Sequence, residues 1–115
     1  MHYLHEKFQL TIEDAQAERN LAFRATANNG HLAVVRYLHE KFQLTDEDAR
    51  ACSNEALCWS ARNGHLGVVR YLCENMGLTA KDVSTHCYRA LRVAAENCHA
   101  DIVEYLCKIV AAGAP

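Results

Sequence analysis

The stretch from Asn28 to Thr45, NNGHLAVVRYLHEKFQLT, returns from Arg62 to Thr79 as RNGHLGVVRYLCENMGLT. Asn29, Asn63 and Asn97 stand 34 residues apart, and His31, His65 and His99 keep the same step, as do Val35, Val69 and Val103. So do Tyr3, Tyr37, Tyr71 and Tyr105, each followed by leucine, and the columns Asp14/Asp48/Asp82 and Ala22/Ala56/Ala90. Leu10-Thr11, Leu44-Thr45 and Leu78-Thr79 complete the set. A stride held over so many columns without insertion describes one supersecondary unit copied and stacked.

Each unit reads as two helices. In the middle copy Ala56, Leu57, Ser60 and Ala61 recur at helical spacing and stop at Asn63-Gly64, where glycine can take the left-handed conformation that ends a helix. After His65, the residues Leu66, Val68, Val69, Leu72 and Cys73 form the apolar stripe of a second helix. Small residues on the first helix allow close approach, and bulkier ones on the second fill the space between layers. In the linker, Thr45 with Asp48 has the spacing of an N-terminal cap, repeated by Thr11 with Asp14 and Thr79 with Asp82. That spacing favours a short helical turn over an irregular loop, and Asn54, equivalent to Asn20, reads as the cap of the following long helix.

Composition narrows the class. Half of the 115 residues are hydrophobic, 23% are charged and one is proline, which is globular and helix-rich. A formal net charge of −2 with no basic run predicts neither a nucleic-acid nor a membrane partner. The opening MHYLHEKF carries no signal-peptide core, so the six cysteines are expected as reduced thiols in a protein that is not secreted. The expected location is the cytoplasm, or the host's cytoplasm or nucleus for a viral protein.

The run NGHLGVVRYL, preceded by EALCWSA, resembles the ankyrin repeat, with its two alanines, Gly-His and Val-Val stripe. The variant is similar to the long, divergent arrays of giant viruses and protists. The Thr-Pro-Leu-His opening of that family is replaced by Leu21-Ala22-Phe23-Arg24, Glu55-Ala56-Leu57-Cys58 and Arg89-Ala90-Leu91-Arg92, and the linker lacks the glycine-aspartate hairpin signature. Tetratricopeptide repeats share the period but not the pattern. The resemblance implies an all-α solenoid whose linkers are short helical turns instead of β-hairpins. As a single domain over 1–115, it divides into the tail of a preceding repeat (1–15), two repeats (16–49 and 50–83) and a C-terminal capping repeat (84–115). In the last unit Ala100-Asp101 replaces Leu-Gly, Glu104 replaces arginine and Cys98 replaces the turn glycine, so that turn must either strain or change shape. The segment 2–8 reads as the end of a second helix without its first, as in a fragment of a longer array, and its bare apolar side predicts self-association.

Histidine and cysteine columns tempt toward a metal. His5, His39, Cys73 and Cys107 form one, but equivalent positions of stacked helices lie about 8–10 Å apart, too far for one zinc ion or for a Cys73–Cys107 disulfide. The Gly-His histidines are expected to bond backbone between layers, and the column cysteines to pack as small core residues. Cys52, Cys58 and Cys87 fall outside that column and read as partly exposed thiols; a redox role is not assigned to them or to Cys98. No phosphate loop, Gly-x-Ser-x-Gly or His-Glu-x-x-His motif occurs, so no catalytic residue, metal or cofactor is expected.

What remains is surface. The columns the repeat leaves free lie near the first helix, and by resemblance that helix lines a concave, protein-binding face. The candidate residues are Arg24, Asn28, Glu55, Trp59, Arg62, Arg89, Arg92 and Glu96. Arginine and tryptophan are common interface anchors, although Trp59, whose equivalents are Ala25 and Val93, also suits packing between layers, and the arginines also suit a solvated face. The implied role is recognition of another protein without catalysis. A spacer within a longer array and the substrate-recognition part of a degradation adaptor are the alternatives.

Overall fold

The computed structural model describes residues 12–113, and the side chains of residues 20–112 other than Ser53, His86 and Cys87. The segment expected to self-associate lies outside the described residues. The helices are α1 (Ile12–Asn28), α2 (Leu32–Phe42), α3 (Asp46–Ala49), α4 (Ala51–Arg62), α5 (Leu66–Asn75), α6 (Ala80–Glu96) and α7 (Ala100–Gly113). No strand occurs among the described residues. Helices α1, α4 and α6 are the first helices of three successive layers, and α2, α5 and α7 the second.

The first helices bury small side chains, with Ala27, Ala56, Ser60, Ala61, Ala90 and Ala94 all at 1% exposure or less. Their axes therefore approach closely, and they touch one another along much of their length, whereas the second helices meet only sparsely. That asymmetry curves the stack with its concave side on α1, α4 and α6. The second helices supply the bulk of the core through Val35, Leu38, Val68, Val69, Leu72, Ile102 and Leu106. Each fully buried aliphatic side chain of this kind contributes about 1.5–3 kcal/mol.

The turns repeat as closely as the helices do. His31 N–H donates to Thr26 O, His65 N–H to Ser60 O and His99 N–H to Ala94 O, each at 2.9 Å, closing the first helices with a Schellman arrangement. Gly30 and Gly64 occupy its left-handed position, with φ of 74° and 80°. Glycine is required there twice over, because a Cβ on Gly30 would strike the His65 ring and one on Gly64 would lie 2.7 Å from His99 Cε1. The histidine of each layer thus fills the space a side chain would need in the layer before it. Cys98 holds the same position with φ 63°, so of the two outcomes left open by the sequence the turn keeps its shape and accepts strain.

The linkers are helical, as their caps suggest. Thr45 and Asp48 form a capping box on α3, and Thr79 and Asp82 form one on α6. Asn20 and Asn54 differ from expectation. Neither is a helix cap: both lie within helical segments at positive φ, 65° and 62°, a conformation asparagine tolerates better than most residues. Their buried amides reach the next layer instead, Asn20 Nδ2 donating to Asp48 Oδ1 at 3.0 Å and Asn54 Nδ2 to Asp82 Oδ1 at 3.2 Å.

Candidate partner-binding face

Hydrogen bonds tie the layers of the stack to one another. His99, which shares the column of the Gly-His histidines but follows Cys98, donates from Nε2 to Arg62 O at 2.8 Å, a backbone bridge of the expected kind. Asn63 Nδ2 donates to Asn28 O at 3.2 Å and to the Asn28 side-chain oxygen. Asp82, 6% exposed, accepts from Arg50 Nε at 2.7 Å, Arg50 Nη2 at 3.1 Å, Thr79 N–H at 2.8 Å and Asn54 Nδ2 at 3.2 Å. Arg50 also holds Asp46 Oδ2 at 2.7 Å and donates to Gly77 O at 3.3 Å. Burial by itself would raise Asp82, but the hydrogen bonds from Arg50, Thr79 and Asn54 outweigh it and keep the carboxyl below its ordinary value of 3.8.

On this frame the expected residues separate into two groups. Arg24 and Glu55 are paired with each other across layers, Nη1 to Oε1 at 2.9 Å, and Asn28 is held by Asn63. Those three are tied into the stack. Trp59 is half-buried, and the Arg62 guanidinium lies over its ring, 4.6 Å from the centroid. Arg62, Arg92 and Glu96 are exposed, and Arg89 is half-buried.

Arg89 holds the sequence position relative to Cys58 that Glu55 holds relative to Arg24, each pair being 31 positions apart. The charges of Arg89 and Arg92 act on the Cys58 thiol, but burial dominates and raises it. Cys58, 5% exposed, is thus a core thiol and not the partly exposed one expected. Cys52 is half-buried, while Cys98 and Cys107 are exposed. Cys107 therefore departs from the core role expected of its column. Cys73 fits that role, being half-buried and pushed up to about 12 by burial, with Asp82 and Glu74 adding to the shift. Such a thiol stays protonated and is a poor nucleophile.

Two exposed apolar side chains belong near the expected set, Leu21 at 46% and Tyr88 at 43%. Tyr88 was not among the candidates. Its column otherwise holds Asn20 and Asn54, and the break in that column was the available signal. The second helices carry their own ties, His39 Nδ1 hydrogen-bonded to the Tyr71 hydroxyl at 2.6 Å and the Tyr105 hydroxyl donating to Glu74 Oε2 at 2.7 Å. Between α2 and α5 lies an open depression of about 430 Å³ lined by Leu32, Arg36, Glu40, Arg70, Tyr71 and Glu74. Among the described residues, no three His, Cys, Asp or Glu side chains gather closely enough to hold a metal ion. No described helix is long and apolar enough to cross a membrane.

A family model described as ankyrin repeats matches the chain in three copies, over residues 3–82 and 22–113. No curated protein and no solved structure matches it. Helix pairs turned at a repeated histidine, stacked at a constant stride and matched along nearly the whole sequence, place this chain in the ankyrin-repeat family.

Proposed function

We propose that the concave face of α1, α4 and α6 binds another protein, with the Trp59–Arg62 stack as its main anchor. Ankyrin repeats are generally protein–protein interaction modules, and the family is typically non-enzymatic. The observation that carries the reading is the Arg62 guanidinium poised over a half-buried Trp59 on a frame cross-tied from layer to layer. A surface fixed before binding loses little conformational entropy on association, and desolvated tryptophan and arginine supply much of the energy at such interfaces. Arg89, Arg92 and Glu96 form the rim, and Arg24, Asn28 and Glu55 hold its shape. The polar outer side of α7, with Asp101, Glu104 and Lys108 exposed, suits the last unit to cap the stack. The chain works in this reading as a recognition element in a reducing compartment such as the cytoplasm.

The test compares proteins captured by the chain from its native source with those captured by Trp59→Ala/Arg62→Ala and by Arg70→Ala/Lys108→Ala. Loss of a specific partner from the first variant alone supports the reading. Undiminished capture by the first variant refutes it.

A further inference from the structure

We propose that this face takes an acidic segment of its partner, a short stretch of Asp and Glu carboxylates flanking a large hydrophobic side chain. The proposal rests on reading the concave face as the partner site. Its basis is charge complementarity. Arg24, Arg62, Arg89 and Arg92 face Glu55 and Glu96, which gives the face a formal +2 in a chain whose total is −2 and leaves −4 for the remainder. Glu55 is already satisfied by Arg24 at 2.9 Å. Arg62 is held by the Trp59 ring and not by a carboxylate. Neither Arg62 nor Arg89 has an ion-pair partner among the described residues. The charges of Arg89 and of Glu55 both reach the Cys58 thiol, but the Glu55 carboxylate is engaged by Arg24.

Guanidinium groups accept carboxylates in a paired, planar geometry and stack on aromatic rings, so they match acidic side chains interleaved with an apolar one. Half-buried Trp59 and Val93 with exposed Leu21 supply the apolar counterpart. A nucleic acid fits less well. Its binding energy comes from many phosphates neutralised in a row, whereas here Glu55 and Glu96 interrupt the cations and the rest of the sequence carries a formal negative charge.

The experiment is selection of a random short-peptide library displayed on phage against the whole chain, then fluorescence anisotropy of the selected peptides. Selected sequences should be acidic with a large hydrophobic residue, and their affinity should fall as salt is raised. Arg62→Glu/Arg89→Glu, shown by circular dichroism to be folded, should bind them about tenfold or more weakly. Arg36→Glu/Arg70→Glu, on the second helices, should bind as the unaltered chain does.

Peptides that lose affinity on Trp59→Ala but carry no acidic bias would overturn this inference and leave the concave site standing. Peptides indifferent to every concave substitution would overturn both. A labelled oligothymidylate that competes through the same arginines would replace the acidic peptide with nucleic acid. Failure to select any peptide would also overturn the proposal, since a short linear segment would then not suffice.

Discussion

Gly64 and Cys98 occupy the same point of consecutive turns, and their difference shows what a single residue decides. At Gly64 a side chain is excluded both by φ 80° and by the His99 ring. Gly64→Ala should therefore cost about 2–5 kcal/mol, combining left-handed strain with overpacking, read from urea unfolding. Cys98 bears the strain without need, at φ 63°, and Cys98→Gly should stabilise the chain by about 0.5–1 kcal/mol in the same measurement. The glycine requirement was legible in the sequence because Gly-His repeats. The left-handed state of Asn20 and Asn54 was not, since asparagine at the start of an apolar helical pattern reads equally as a cap. Its distinguishing bond goes to a residue 28 positions later, and that pairing exists only once the layers are stacked.

At the scale of elements, α6 is fastened to the layer before it through Asp82. Its carboxyl lies below 3.8 in the folded chain, so the stability it contributes is complete above that pH and is lost as pH falls further. Unfolding midpoints should drop on acidification below pH 3.8, and Asp82→Asn, though less stable near neutrality, should show a smaller drop. Arg50→Ala removes two hydrogen bonds to Asp82 and should destabilise by about 1.5–3 kcal/mol. The helical linkers could be read from Thr and Asp at capping distance. The Arg50 clamp could not, because its equivalents are Gln16 and Ser84 and no column marks it.

For the whole molecule, the stride of 34 residues, by itself, dictated stacked helix pairs, whereas the placing of the first helices inside the curve came from the resemblance to ankyrin repeats and agrees with the small side chains they bury. Leu72→Ala, fully buried in the middle layer, should cost about 2–5 kcal/mol and lower the stability of the chain as one unit. The proposed face was chosen as those columns that repetition leaves free. The division of labour within it was not, because pairing of Arg24 with Glu55 and stacking of Arg62 on Trp59 depend on side-chain positions that only the assembled layers define. Site-specific photo-crosslinking to the captured partner tests the central claim most directly. A benzophenone side chain placed at Ala25 or Glu96 should crosslink the partner, while the same group at Arg36, Arg70 or Lys108 should not. Crosslinks confined to the second-helix positions would contradict recognition through the concave face.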